Sequence, residues 1–286
     1  MRSEEKNKIV GGTLYVVATP IGNLADISER AIKTLTEVDF IAAEDTRNTA
    51  KLLMNLGISK QMVSYHEHNR AEAGERIIER LREGQSCALV TDAGTPAISD
   101  PGEHLVALCA QEDITVTSVP GACACITALT LSALPTARFV FEGFLPIKGK
   151  ERKERIEELA RERRTFILHE APHKLKATLS DLSEALGGDR RISLCRELTK
   201  LNEEIMRTTL SQAVDYYAAN EPRGEYVLVV SGAQGELREN RQTDMTPEQA
   251  VAYYEKSGMT RTDAVKASAK LLGMSRNDLY ALVMKK

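Results

Sequence analysis

No run of uncharged apolar residues in this chain approaches the length of a membrane span, so no transmembrane helix is expected. The opening MRSEEKNKIV carries charge but no apolar core, which argues against a secretory signal, and residues 1–11 read as a flexible tail. Positive charge has no surplus: 38 Lys and Arg stand against 41 Asp and Glu, a net of −3. Affinity for a phosphate backbone comes from Lys and Arg, so any nucleic-acid surface has to be local. Cysteine is scarce and odd in number, at five. Cys87, Cys109 and Cys195 sit in apolar runs, as small buried hydrophobes do. Cys123 and Cys125 form a C-x-C pair with no further ligands spaced to complete a metal site, so packing is the better reading and no metal is expected. Free thiols of this kind point to a reducing compartment, the cytoplasm. Two phosphate-binding fingerprints are also missing. No G-x-G-x-x-G follows the first strand and no G-x-x-x-x-G-K-[ST] occurs anywhere, which sets aside the standard dinucleotide fold and the P-loop.

What is present is an alternation of short apolar runs and helical patterns, in a chain long enough for two domains. Cys87–Thr91 is a run of buried-strand length that stops at Asp92-Ala93-Gly94-Thr95-Pro96, and a helical pattern resumes near Asp100-Pro101-Gly102. A loop rich in Gly, Pro, Asp and Ser has little bulk at its bends. At the carboxyl end of a parallel strand it lets a ligand approach the backbone. For one such loop a tight strand-helix turn with no ligand is the minority reading. Two more share its character: Val16-Val17-Ala18-Thr19-Pro20-Ile21-Gly22-Asn23-Leu24 after the first strand, and Ser118-Val119-Pro120-Gly121-Ala122 after the strand that follows the Asp92 loop. Three such strand ends are expected to converge on one crevice.

Strands at Thr13–Thr19, Phe40–Ala43 and Met62–Tyr65 alternate with helices, with Asp26 or Ser28 as the first helix cap. This predicts an α/β domain over 12–130 with a mainly parallel sheet. Leu131-Ser132-Ala133-Leu134-Pro135-Thr136 reads as a linker at 131–137, and Phe139–Phe144 opens a second α/β unit over 138–235. Its first helix, Lys148 to Arg164, is rich in both charges, slightly more basic than acidic. A solvated helix laced with i,i+4 ion pairs explains most of that, and an RNA-facing patch is the minority reading. The tail, 241–286, differs in kind. Thr246-Pro247 and Thr262-Asp263 start helices, Leu272-Gly273-Met274-Ser275 reads as a tight turn, and a helix with Arg276, Asn277 and Tyr280 follows. That pattern fits a small helical, helix-turn-helix-like module.

The runs ATPIGNLAD, AAEDTRNTAKLL, SYHEHN, TDAGTPAISDPG and VPGACA, in this order, resemble the tetrapyrrole-methylase superfamily of S-adenosylmethionine (SAM) methyltransferases. Within it they are similar to the branch that 2′-O-methylates a cytidine of 16S ribosomal RNA. The resemblance spans about Gly12 to Gly232. It implies two α/β domains of the tetrapyrrole-methylase type with a SAM cleft between them, plus the small C-terminal module. It also implies a homodimer whose partner is 16S rRNA or the small ribosomal subunit, with no membrane and no metal. The cofactor positions implied are Pro20, Asp92, Ala93, Gly94, Ile98, Ser99, Gly121 and Ala122, with Leu168 and Glu170 from the second domain. Asp92 taken alone is nearly as readily a helix cap or an Asx turn.

A ribose 2′-hydroxyl is a weak nucleophile that a base or charge stabiliser helps. His66, Glu67 and His68 are the catalytic candidates, at a strand end on the expected active face, although a lone H-x-H is more often structural. Arg47, Asn69, His173, Lys148, Lys150 and Arg276 are the candidates for contact with RNA, and Arg47 has the alternative of pairing with Glu44 or Asp45. His169 and His173 flank Glu170 and are expected to face the same cleft. Two other functions fit the same residues. One is a precorrin-type tetrapyrrole methyltransferase, the other a non-catalytic SAM-sensing regulator that binds nucleic acid.

Overall fold

The structure, a computed structural model, describes residues 7–233, 246–272 and 274–283. Residues 1–6 of the expected tail, Gly273 of the expected turn and Arg241, Lys285 and Lys286 of the C-terminal module lie outside the described residues. Two units are present, 1–233 and 234–286.

The first unit begins with β1 (Thr13–Val17), α1 (Glu29–Glu37), β2 (Phe40–Ala43), α2 (Thr46–Asn55), β3 (Met62–Ser64), α3 (Arg70–Arg82), β4 (Cys87–Val90), α4 (Glu103–Gln111) and β5 (Thr115–Val119). The five strands form one sheet in the order β3-β2-β4-β1-β5, and every pairing is parallel. The three inner strands, β1, β2 and β4, are buried on both faces, as strands covered by helices on each side must be. Leu14, Phe40, Cys87 and Leu89 pack with Ile77, Leu81 and Leu105 of α3 and α4. Their neighbours Tyr15, Val17, Ile41 and Val90 pack with Leu35 and Leu53 of α1 and α2 on the opposite face. Strand order reverses around β1, so the loops after β1, β4 and β5, three neighbouring strands, open at one edge, where doubly wound sheets bind ligands. Ser28, not Asp26, caps α1, accepting from the Ala31 amide.

α5 (Ala124–Leu131) leads into β6 (Phe139–Phe144), α6 (Gly149–Arg161), β7 (Thr165–Glu170), α7 (Pro172–Leu186), β8 (Arg191–Arg196), β9 (Glu204–Thr209), α8 (Leu210–Ala219) and β10 (Tyr226–Val230). Their sheet runs β6-β7-β10-β8-β9. Only β6 and β7 pair in parallel; β10 is antiparallel to both its neighbours, and β8 and β9 form an antiparallel pair. One face buries Phe166, Leu168, Leu194 and Leu228 against α6, α7 and α8. The other buries Ile167, Val227 and Val229 against Cys125, Ala128 and Leu129 of α5. By its packing, α5 is therefore the element that covers the second sheet from the side of the first. Because β10 runs against β7 and β8, its beginning lies beside their ends, and that edge faces the loops of the first sheet.

The second unit holds α9 (Pro247–Lys256), α10 (Arg261–Leu272) and α11 (Arg276–Val283). Thr246 and Gln249 form a reciprocal cap at the start of α9. Val251, Ala264, Val265, Ala269 and Leu279 make a core of its own.

Candidate active site

The first two loops are zipped together: the Thr19 amide donates to the Gly94 carbonyl at 2.8 Å, and the Gly94 amide returns a bond to Thr19 at 3.1 Å. Thr95 Oγ1 donates to the Ala122 carbonyl at 3.0 Å, which ties in the third loop. Gly94 holds φ +88, and a Cβ there would lie 3.2 Å from Ile21 Cγ2, so a side chain at this crossing would be both strained and crowded. Pro20 follows Thr19 at the bridge, and Gly121 lies against Ala18. The three bends meet.

They meet at the wall of a cavity of about 520 Å³, ample for a ligand of cofactor size. Ile21, Ala93, Ile98, Ser99 and Asp100 come from the loops and Ala124 from α5. Phe144 closes β6, while His169 through His173 pass from β7 into α7. Cys195 and Leu198 end β8, and Glu225, Tyr226 and Val227 begin β10. Of the ten positions expected to hold a cofactor, Ala93, Ile98, Ser99 and Glu170 line the cavity directly. Pro20, Gly94, Gly121 and Ala122 shape the loops behind it. Asp92 faces outward, its carboxylate accepting from Asn48 Nδ2 at 2.9 Å and its amide donating to Glu44 Oε2 at 3.3 Å. Leu168 turns away: its side chain belongs to the core under α7. The Glu170 carboxylate is buried and spoken for, accepting from the Ala171 amide at 2.9 Å and from Thr178 Oγ1 at 2.5 Å.

The catalytic candidates stand outside the cavity wall, but Glu67 lines the adjoining groove that Asp100 also lines, and His66 Nδ1 is buried with no hydrogen-bond partner. His66 to Asn69 form a turn at the end of β3, an edge strand, and none of them lines the cavity. Asn69 Oδ1 accepts from the His66 amide at 2.8 Å, Asn69 Nδ2 donates to the Ser64 carbonyl, and Glu67 pairs with Arg70 at 2.6 Å. His68 only reaches the edge of the His66 ring. Among the candidates for RNA contact, His173 is exposed at the cavity and Lys148 and Lys150 lie at the start of α6. Arg47 is held by Asp45 through paired bonds at 3.0 and 2.6 Å, at the start of α2. Arg276 is exposed at the start of α11 in the second unit.

Two groups in the cavity wall are chemically unusual. Burial, with Glu44 and Asp92 nearby, pushes the Asp100 carboxyl up to about 6, and Glu44 is raised by burial in the same cluster. His169 is lowered by burial, its ring held edge-on by Phe141 at 5.2 Å and Phe144 at 5.5 Å. Its Nε2 is buried with no hydrogen-bond partner. An orphaned polar atom in a cavity wall is what a bound molecule would satisfy. Sequence reasoning passed over Asp100, Phe144, Leu198 and Tyr226. Asp100 carried the one available signal, a carboxylate at the far end of the Gly94 loop. Leu198 and Tyr226 depend on the antiparallel pairing of β8 with β10, and Phe144 on a register shift in β6, neither of which strand spacing reveals. Among the described residues, no group of three His, Cys, Asp or Glu side chains is placed to hold a metal ion.

The sequence profile described as Tetrapyrrole (Corrin/Porphyrin) Methylases matches residues 13–214. The chain belongs to this family. Within the family it is 48% identical over 271 residues to the ribosomal RNA small subunit methyltransferase I of Synechocystis sp., covering 95% of this chain and 97% of that protein. It is 43% identical over 272 residues to the protein of the same name in Bacillus subtilis, covering 94% and 93%. Solved tetrapyrrole methylases share the fold at low identity. A cobalt precorrin-4 methyltransferase of cobalamin biosynthesis superposes with a TM-score of 0.58 at 19% identity, over 77% of this chain and 95% of that one. The uroporphyrin-III C-methyltransferase of Thermus thermophilus, solved in complex with S-adenyl homocysteine, gives 0.54 at 17%, over 77% and 96%.

Proposed function

We propose that this chain methylates ribosomal RNA of the small subunit, delivering the methyl group of SAM to the 2′-hydroxyl of a cytidine ribose in 16S rRNA, in the cytoplasm and as a homodimer. The observation that carries this reading is the single cavity where three small-residue loops meet the edge of a second sheet. The chain enclosing it is 48% identical to a protein named for that RNA.

The residues fit the donor. Apolar walls at Ile21, Ile98 and Leu198 suit its uncharged parts, the Asp100 carboxylate in the wall suits its positive sulfur, and His169 Nε2 offers an unused hydrogen-bonding atom. When bound, SAM supplies a methyl group already activated by a sulfonium. The work left to the protein is therefore positioning, exclusion of water and handling of one proton. Asp100 takes that proton in this reading. It lines the cavity and also the adjoining groove beside Tyr65 and His104, so it stands where two molecules would meet. A carboxylate whose ionisation is shifted up to about 6 is charged at neutral pH and yet more basic than an ordinary one.

Labelled SAM offered with small subunits, with naked rRNA and with a porphyrinogen tests the reading. Label on the ribose of a cytidine in subunit RNA is the expected result. Label in the macrocycle would replace it with tetrapyrrole methylation. SAM and RNA bound with no transfer would leave a sensing regulator.

A further inference from the structure

The end of β6 departs from a regular strand. It pairs with β7 in parallel, but the register slips between Phe141 and Gly143, and Gly143 takes φ +64. In an uninterrupted strand Phe141 and Phe144, three residues apart, would face opposite sides. The bulge cancels that. Phe141 comes opposite Ile167 and Phe144 opposite His169, so both rings stand on the face that carries the His169 ring. A bulge that re-aims a side chain beside a site is a built feature.

The result is a ring 57% exposed at the rim of the cavity. The chain beneath it is nonetheless tied down. Leu145 is buried in the core, and the Pro146 carbonyl accepts from Arg152 Nη1 at 3.0 Å. Next along this pinned loop, Ile147 is 73% exposed, followed by Lys148 and Lys150. Lys148 has no ion-pair partner among the described residues, and Lys150 has only the exposed Glu154 at 3.3 Å. A rigid aromatic face, an aliphatic neighbour and two ammonium groups within seven residues of one rim match an unstacked nucleobase and its flanking phosphates. The lysines speak against a small uncharged occupant.

We propose that Phe144 is the platform on which the base of the target nucleotide stacks, with Ile147 against the same strand and Lys148 and Lys150 on the phosphates beside it. The substrate is therefore a splayed-out nucleotide of an unpaired RNA segment, not one held in a duplex. This rests on the reading of the cavity as an rRNA methylation site.

The test uses the full-length protein, small subunits and labelled SAM, with SAM binding to the free protein followed by calorimetry. Truncation of a stacking ring weakens RNA binding by about tenfold to a hundredfold. Phe144→Ala and Phe144→Leu are therefore expected to raise the KM for subunits by that factor, with SAM affinity changed by much less. Phe144→Trp restores the KM, which separates stacking from bulk. The double variant Lys148→Ala, Lys150→Ala raises the KM at every base sequence and flattens its salt dependence. Full activity of Phe144→Leu would overturn the proposal. So would a loss of SAM affinity equal to the loss in KM, which would make Phe144 a wall of the donor site. If the unaltered protein labels no ribosomal RNA, the underlying reading has failed and this proposal falls with it. An active parent with an indifferent Phe144→Ala sinks the platform alone.

Discussion

Asp100 sits at the end of a loop in which two residues other than glycine, Ala97 and Ser99, hold φ of +67 and +60. Left-handed backbone at such residues costs about 1–2 kcal/mol each, and strain of this kind collects at working sites. The carboxyl itself carries a second cost, ionisation in a half-buried place beside Glu44 and Asp92. Its folded value of about 6 lies above the ordinary carboxylate value. The folded state therefore binds the proton more tightly, and the penalty is fully present above about pH 6. It fades as the pH falls through the window between the folded and the ordinary carboxylate values. Asp100→Asn is accordingly expected to raise the melting temperature at pH 8 and to leave it nearly unchanged at pH 4. Its kcat for RNA methylation should fall by about a hundredfold, and the rise in rate through pH 6 should disappear from the pH profile. A variant with wild-type kcat and an unaltered profile would remove Asp100 from the proton transfer. The sequence pointed to His66, Glu67 and His68, and Glu67 shares the groove beside Asp100. An H-E-H-N run shows its titratable groups but not that Asn69 closes it into a turn and that Arg70 takes up the glutamate.

Among the elements, α6 shows how one charged helix divides its labour. Lys150–Glu154 at 3.3 Å, Lys153–Glu157 at 4.0 Å and Arg155–Glu158 at 3.0 Å are the exposed pairs its spacing predicts, worth a few tenths of a kcal/mol apiece. Arg152 lies one and two turns from the buried Ile156 and Leu159 and is only 13% exposed. It donates to Asp181 at 2.9 Å, to Thr178 at 3.0 Å and to Pro146, while Thr178 in turn donates to the buried Glu170. This chain of bonds joins α6 to α7 and holds the rim loop and the end of β7 in place. Arg152→Met keeps the apolar stem and removes the fork. It is expected to lower stability by about 2 kcal/mol, read from urea unfolding, because hydrogen bonds to a charged group are lost and polar atoms stay buried. A loss below about 0.5 kcal/mol would mean that the network contributes nothing net.

At the scale of the molecule, the chain combines a net charge of −3 with a proposed RNA substrate. Recognition in this reading is local, and the two features proposed for it are the lysine-bearing rim of the cavity and the three-helix unit over 246–283. That unit has a hydrophobic core of its own. Deletion of residues 241–286 is expected to leave SAM affinity within about threefold, while the KM for subunits rises by tenfold or more, as the loss of a few phosphate contacts would cause. Equal loss of SAM binding and methylation would show instead that the tail stabilises the fold.

The order of strands and helices, the parallel first sheet and the three small-residue bends that meet at the cavity were legible in the chain itself. Buried strands need continuous apolar runs, and bends that approach a ligand need small residues, so both leave local marks. Which side chains face the cavity was decided by tertiary structure. The antiparallel β10, the bulge at Gly143 and the burial of Asp100 and His169 arise from pairings between segments far apart in sequence. A side chain's direction and the ease of its ionisation follow from those neighbours, not from its own residue type.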